Sequence, residues 1–94
     1  MQFVLFCEDK AGAESVRLAT REAHLAYIGT ASDMIRLAGP MLSDDGQKMC
    51  GSMFILEAPD RAAVEAFNRA DPYTGAGLWE RVVIHAFRQV VPKV

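Results

Sequence analysis

Short apolar runs alternate with amphipathic segments along the chain, and this pattern predicts four strands and two helices. An almost unbroken apolar run is typical of a buried strand, whereas apolar positions three and four residues apart indicate a helix. The predicted elements, in chain order, are a strand over residues 2–7, a helix from 14 to about 32, a strand over 35–42, a strand over 50–58, a helix over 61–70 and a strand over 82–87.

The boundaries of these elements coincide with residues that start or stop regular structure. Asp60 is the predicted N-cap of the second helix, and Asp71 ends that helix because a residue before proline is driven out of the helical region. Turn-forming residues 43–47 join two strands as a hairpin, and the glycine-containing segment 73–79 is predicted to be a loop. The order β-α-β-β-α-β predicts an α+β ferredoxin-like fold, with one antiparallel sheet and two helices on one face.

Composition limits the classes of protein that the chain could represent. It has 94 residues, of which 51% are hydrophobic, and its net charge is −2. This length predicts one domain over residues 1–94. So many apolar residues in so short a chain favour a homodimer that covers the free face of the sheet. Because the chain has no net basic charge, neither nucleic acid nor a membrane surface is expected as a partner.

Neither targeting segments nor cofactor motifs are recognisable in the sequence. No apolar run approaches the roughly 20 residues of a membrane span, and the first residues lack a positive signal-peptide region, so a cytoplasmic protein is expected. Cys7 and Cys50 belong to no paired motif and are predicted to be reduced, packed thiols. The sequence contains no phosphate-binding loop, dinucleotide motif or closely spaced metal ligands, so neither a cofactor nor a metal is expected.

The first helix carries the clearest candidate chemistry. Arg17, Arg21 and His24 are spaced at i, i+4 and i+7, which places them on one helix face between apolar neighbours. Arginine binds carboxylate or phenolate oxygens through a fixed fork of donors, and histidine transfers a proton near neutral pH. The pattern predicts an anion site with a proton-transfer group beside it. The alternative is that the arginines are exposed or paired with an acid such as Glu14.

Asp71 is the predicted partner of His24. The two helices of a ferredoxin-like fold lie side by side, so a carboxylate at the end of the second helix could approach the first. Such a partner fixes one histidine tautomer and directs the other ring nitrogen outward, as acid/base catalysis requires. The alternative is that Asp71 only shapes the Asp-Pro turn by accepting a hydrogen bond from a nearby N–H. Spacing alone leaves both interpretations open.

Several segments together resemble the YciI-like, or YCII-related, domain family. In order along nearly the whole chain, they are Arg17 to Leu25 (RLATREAHL), Ala38 to Met41 (AGPM), Gly51-Ser52 and Ala70 to Gly77 (ADPYTGAG). The resemblance implies a ferredoxin-like fold of the dimeric α+β-barrel group. It also implies a set of site residues, which are a central pair, His24 and Asp71, and three substrate-binding residues, Arg17, Arg21 and Ser52.

The resemblance also implies a class of reaction. The chemistry best understood in that family is a dehydrochlorinase that acts on a chlorinated hydroxyquinol, and enzymes similar to muconolactone isomerase share the fold group. We therefore expect a cofactor-independent lyase or isomerase that acts on a small anionic or phenolic substrate by acid/base transfer. The competing hypothesis is a non-catalytic, dimeric binding or accessory protein that uses the same pocket.

Four further features allow more than one interpretation. Ser52 is expected to hydrogen-bond to substrate rather than act as a nucleophile, because no G-x-S-x-G turn surrounds it. The segment Gly75 to Gly77 could form an anion-binding nest, although such glycines more commonly allow a tight loop. His85 is predicted to be a packed or interface histidine. Tyr73 and Trp79 flank the glycine segment and could wall the pocket or the dimer interface, although plain packing is the preferred interpretation for Trp79.

Overall fold

The structure is a computed structural model that describes residues 1–93. Its elements, in chain order, are β1 (Gln2–Asp9), α1 (Glu14–Thr30), β2 (Ile35–Leu42), β3 (Met49–Glu57), α2 (Arg61–Ala70), α3 (Pro72–Gly75) and β4 (Trp79–Phe87). All elements but α3 correspond to the predicted strands and helices. Among residues 1–93, no helix is both long enough and apolar enough to cross a membrane.

The four strands form one antiparallel sheet in the order β2-β3-β1-β4. β1 lies in the interior of the sheet, where Leu5 pairs with Phe54 of β3 and with Ile84 of β4. This strand order, reached through the helices that follow β1 and β3, is that of the ferredoxin-like fold. The predicted fold class is therefore confirmed.

The hydrophobic core lies between the sheet and the helices. Odd-numbered residues of β1 point to this side, because side chains alternate between the two faces of a strand. The fully or nearly buried apolar side chains of the core are Phe3, Leu5, Cys7, Phe54, Leu56, Ala58, Val64, Phe67 and Ile84. As predicted, Asp60 caps α2, since its side chain accepts a hydrogen bond of 2.9 Å from the Ala63 amide. The burial of Val64 and Phe67 fixes α2 against β1 and β4.

The opposite side of the sheet is also apolar, and no helix covers it in the described part of the chain. We call it the outer face and define it by five side chains, which are Val4, Phe6, Met53, Ile55 and Val83. The strand register groups them, because Val4 lies opposite Ile55 and Phe6 lies opposite both Met53 and Val83. All five side chains are only partly buried. A single chain therefore leaves a continuous apolar surface in contact with solvent.

The prediction of a loop over residues 73–79 is wrong. Residues 72–75 form the short helix α3, and β4 begins at Trp79 instead of residue 82. Asp71 adopts an extended backbone and its side chain accepts from the Tyr73 amide at 2.9 Å, while a proline occupies the first helical position. Proline is favoured at that position because its fixed φ suits a helix start. The Asp-Pro pair that ends α2 therefore starts another helix.

Candidate functional site

The side chains that α1 buries are polar. Arg17 is 3% exposed and His24 is 6% exposed, whereas their neighbours Leu18 and Leu25 are 63% and 45% exposed. An amphipathic helix normally turns its apolar face to the core. Here Arg17 and His24 point inward, so the interpretation as a solvated helix face does not hold for them, whereas Arg21 is exposed.

His24 and Asp71 are in direct contact, although they lie 47 positions apart in the sequence. The His24 Nδ1 atom is 2.8 Å from Asp71 Oδ1, and both side chains are buried. A carboxylate oxygen accepts hydrogen bonds, so this contact places the ring proton on Nδ1. The other ring nitrogen, Nε2, has no hydrogen-bond partner among residues 1–93. This is the arrangement of an oriented acid/base group.

Asp71 combines the two functions that the sequence presented as alternatives. Its Oδ1 atom contacts the His24 ring and also accepts from the Tyr73 amide as the cap of α3. Its Oδ2 atom is buried and has no hydrogen-bond partner in the described residues. Because the charge of a buried carboxylate with an unpaired oxygen is poorly compensated, it interacts strongly with neighbouring titratable groups. Burial, and then the negative charge of Asp71, raise the pKa of Tyr27 above its usual value.

The aromatic ring of Tyr73 connects His24 with Arg17. It stacks on the His24 imidazole with ring centroids 4.0 Å apart and planes inclined by 17°. The Arg17 guanidinium carbon lies 4.7 Å from the centre of the same ring. Burial raises the pKa of Tyr73 above its usual value, although the positive charges of Arg17 and Arg21 oppose this effect. The Tyr73 ring therefore fixes the plane of His24 and contacts a cation.

Arg17 is held by an acid that the sequence analysis did not single out. Its Nε donates to Asp9 Oδ2 at 2.7 Å and its Nη2 donates to Asp9 Oδ1 at 2.9 Å, in a fork on a buried carboxylate. Nη2 also donates to Ser52 Oγ at 3.0 Å. Burial alone would lower the pKa of Arg17, but the hydrogen bond and charge of Asp9 outweigh it and raise the pKa above its ordinary value. The partner of Arg17 is thus Asp9 and not Glu14.

These side chains surround a cavity of about 150 Å³ between α1 and strands β2 and β3. Its lining residues are Arg17, Arg21, His24, Leu25, Ile28, Ala38, Gly39, Pro40, Met49, Ser52, Phe54 and Tyr73. Four of the five predicted site residues therefore line one cavity, and the fifth, Asp71, lies behind His24. Arg21 is exposed, and its guanidinium has no ion-pair partner within residues 1–93.

Two residues of the site were missed by the sequence analysis. Asp9 was overlooked because the first strand was predicted to end at Cys7. The structure extends this strand to Asp9, which continues the odd-numbered, inward-facing positions of β1. Tyr73 was assigned to a loop and considered only as a possible wall of the pocket or of the dimer interface. An acid two residues beyond a buried strand position, facing a helix with arginines, is the pattern that could have revealed Asp9.

Several other candidates take no part in this cavity. The amides of residues 75, 76 and 77 donate to backbone oxygens within the same turn, so the anion-nest interpretation of these glycines is wrong. Trp79 packs as predicted: its Nε1 donates to Thr74 Oγ1 at 2.9 Å and its ring contacts the edge of Tyr73. His85 is exposed next to the outer face, so it is not a packed residue, and its place in an interface stays a prediction.

The two cysteines differ in their surroundings. Cys7 is buried in the core, where burial and then the charge of Asp71 raise the pKa of its thiol to about 12. Cys50 is exposed, so the prediction of two packed thiols is wrong for this residue. Both are free thiols. Within residues 1–93, no group of three histidine, cysteine or acidic side chains is arranged to hold a metal ion.

Comparison with known proteins identifies the family of this chain. The sequence model of the YCII-related domain matches residues 1–88. The chain belongs to the YCII-related domain family. It is 37% identical to the protein YciI of Escherichia coli O6:H1, over 96% of this chain and 99% of that protein. It is also 30% identical to an uncharacterised protein of Haemophilus influenzae, with the same coverage.

Solved structures share the fold of this YCII-related chain. The chain is similar to 5-chloro-2-hydroxyhydroquinone dehydrochlorinase (TftG) of Burkholderia phenoliruptrix AC1100, with a TM-score of 0.88, 32% identity and coverage of 95% of both chains. That enzyme was solved in complex with 2,5-dihydroxybenzoquinone. An antibiotic biosynthesis monooxygenase shares the fold alone, with a TM-score of 0.55, 14% identity, and coverage of 95% of this chain and 97% of that chain.

Proposed function

We propose that this YCII-related protein is a cofactor-independent acid/base enzyme, of the lyase or isomerase type, for a small anionic or phenolic substrate. The observation that carries this proposal is the contact of 2.8 Å between His24 Nδ1 and the buried Asp71 carboxylate. It leaves Nε2 as the ring nitrogen that can exchange a proton with a molecule in the cavity. His24 takes or returns the proton, and Asp71 holds the ring in one tautomer.

The remaining predicted site residues supply the binding part of the proposal. Arg17, Arg21 and Ser52 line the same cavity as His24, and Arg21 and Ser52 offer hydrogen-bond donors to the oxygen atoms of a substrate. The volume of about 150 Å³ suits a single aromatic ring. A well-placed acid/base group accelerates a reaction by about 10²–10⁴-fold. An acceleration of this size suits modest chemistry, such as proton transfer at an enolisable carbon.

The similarity to the dehydrochlorinase supports the choice of reaction. Removal of HCl from a ring transfers one proton and releases one chloride ion. The proton requires an acceptor such as His24 Nε2, and the chloride takes the electron pair of the broken C–Cl bond. The related enzyme acts on a chlorinated hydroxyhydroquinone and binds a dihydroxyquinone, which are both small oxygenated rings. We extend this substrate class, and not the individual substrate, to the present chain.

The test compares turnover by the wild-type protein with that by His24→Gln. Chloride release from 5-chloro-2-hydroxyhydroquinone is measured first, followed by a series of halogenated and enolisable phenolic acids. We expect His24→Gln to lower kcat by about 10²–10⁴-fold. His85→Gln is the matched control, because it changes an exposed histidine on the other side of the sheet. A folded His24→Gln variant with full turnover contradicts the proposal.

The same experiment separates the enzyme from the competing hypothesis of a binding or accessory protein. Calorimetric binding of 2,5-dihydroxybenzoquinone is measured in parallel with turnover. Tight binding without turnover of any substrate in the series supports the non-catalytic alternative. Loss of binding in Arg21→Gln locates the ligand in the cavity in either case.

We further propose that the protein is a homodimer in which the outer faces of two sheets pack together. This surface is apolar and only partly buried in the single chain. Contiguous apolar patches of this kind on small domains mark contacts between proteins. Two-fold packing of the same patch would bury it in both copies.

A further inference from the structure

The two arginines that line the cavity have different electrostatic surroundings. Arg17 is 3% exposed and its fork is occupied by the Asp9 carboxylate, through contacts of 2.7 and 2.9 Å. A buried ion pair of this geometry is nearly neutral as a unit, because each charge compensates the other. Arg17 therefore has little net charge to offer an anion in the cavity.

The hydrogen bond from Arg17 determines how Ser52 can act. Arg17 Nη2 donates to Ser52 Oγ at 3.0 Å, so the serine oxygen serves as an acceptor in this contact. Its hydroxyl hydrogen is then directed elsewhere, and within residues 1–93 no acceptor for it is present. Ser52 is 3% exposed and lines the cavity. A buried, unused O–H donor is costly unless a ligand or water accepts from it.

Arg21 differs from Arg17 in each of these respects. It lies one helical turn further along α1, lines the same cavity and is exposed. No acidic side chain pairs with it in the described part of the chain. Of the two arginines of the cavity, Arg21 is thus the one with an uncompensated positive charge.

From these observations we infer that Asp9 is a positioning residue that gives Arg17 and Arg21 different functions. Asp9 neutralises Arg17, Arg17 makes Ser52 a hydrogen-bond donor, and Arg21 binds the negative charge of the ligand. The site therefore selects a small ring with one anionic group and a neutral acceptor oxygen, such as a carbonyl, over a ring with two anionic groups. This inference rests on the proposed function only in taking this cavity as the ligand site.

The first test follows the arginine Nε–Hε signals of the wild-type protein by NMR during titration with sodium benzoate. We expect the Arg21 signal to shift with saturation, while the Arg17 signal stays in place because its Nε–H is bonded to Asp9. Arg69, an exposed arginine on α2, serves as the internal control for general anion effects. An Arg21 signal that does not move more than Arg69, or an Arg17 signal that moves as much as Arg21, overturns the inference.

The second test changes the charge of Asp9 and keeps its shape. Dissociation constants are measured for isophthalate, with two negative charges, and for 3-carbamoylbenzoate, in which a neutral amide replaces one carboxylate. The wild type is expected to prefer 3-carbamoylbenzoate. Asp9→Asn frees the charge of Arg17 and should shift the ratio of the two constants toward isophthalate by about tenfold. Asp33→Asn is the matched control, because it removes the same charge from an exposed turn.

The outcomes separate this inference from the proposed function. A wild type that prefers isophthalate, or an unchanged ratio in Asp9→Asn, overturns the assignment of Asp9 and Arg17. If Asp9→Asn does not fold, the NMR titration still decides, since it uses the wild type alone. Neither probe is a substrate, so a loss of turnover in His24→Gln leaves both binding results valid. A failure of the catalytic proposal likewise does not change the ratio of the two dissociation constants.

Discussion

At the scale of single residues, the site depends on one carboxylate oxygen with two partners. Asp71 Oδ1 caps α3 through the Tyr73 amide and orients His24 through Nδ1. The Asp-Pro pair suggested, as one of two open interpretations, that Asp71 accepts a hydrogen bond from a nearby N–H, and the helix spacing predicted His24 as a functional residue. Spacing could not show that both contacts use the same atom, because the second one joins residues 47 positions apart. Local turn chemistry is readable from sequence, whereas a long-range contact depends on how helices pack.

Replacement of Asp71 by alanine should change the tautomer of His24. In the wild type, the carboxylate holds the neutral ring with its proton on Nδ1. In Asp71→Ala this acceptor is absent, and the proton should move in part to Nε2. The ¹⁵N chemical shifts of the two ring nitrogens measure this population directly. Asp60→Ala, which removes the cap of α2 but lies outside the site, should leave the tautomer unchanged. Identical ring shifts in wild type and Asp71→Ala would argue against the pair.

Cys7 should make the stability of the protein depend on pH in the alkaline range. Its thiol pKa is about 12 in the folded protein against an ordinary value of 9.0, so the unfolded chain loses this proton first. The free energy of unfolding therefore falls as pH rises above 9. Between about pH 8 and about pH 10, the wild type should lose about 1 kcal/mol more than Cys7→Ala. Urea denaturation at both pH values measures the difference. Cys50→Ala, at an exposed site, should behave as the wild type does.

At the scale of elements, the strands and long helices could be predicted, but the segment that connects α2 to β4 could not. The apolar runs of β1 and β3 and the cap at Asp60 placed their elements to within a few residues. One error occurs where a pair of residues has two local uses. An Asp-Pro pair can end one helix or start another, and the structure uses it for both. Because the prediction ended β1 two residues early, it missed Asp9, which is the partner of Arg17.

Gly51 shows how tightly the strands approach one another beside the site. A Cβ atom added at this position would lie 2.5 Å from the backbone oxygen of Cys7 and would also meet the Met41 side chain. The backbone of β1 cannot move without disturbing the sheet register, so Gly51→Ala should destabilise the fold by about 1–3 kcal/mol. Gly39→Ala is the control on the neighbouring strand, because a Cβ there meets no atom within 4 Å. Equal unfolding midpoints for the two variants would contradict this account.

At the scale of the whole molecule, the two sides of the sheet differ in their chemistry. The helix side holds the core and the cavity, and its chemistry lies in polar side chains, of which helical spacing predicted those on α1 but not Asp9. The outer face is apolar along β1, β3 and β4 and carries none of the predicted site residues. The amino-acid composition alone predicts this surplus of apolar surface, because one small core cannot enclose it. The fold of one chain shows where this apolar surface lies. Association with another molecule would then cover it.

If two copies pack through their outer faces, a charge in the middle of that surface should separate them. Phe6 lies on β1, between Met53 of β3 and Val83 of β4. We expect Phe6→Glu to convert a dimer of the wild type into a monomer, since a buried, unpaired carboxylate opposes association. Sedimentation equilibrium measures the mass of both proteins. Leu18→Glu is the matched control, because it places the same charge on an exposed apolar residue of α1. A wild type that sediments as a monomer, or a Leu18→Glu variant that dissociates while Phe6→Glu does not, would contradict packing of two copies through the outer face.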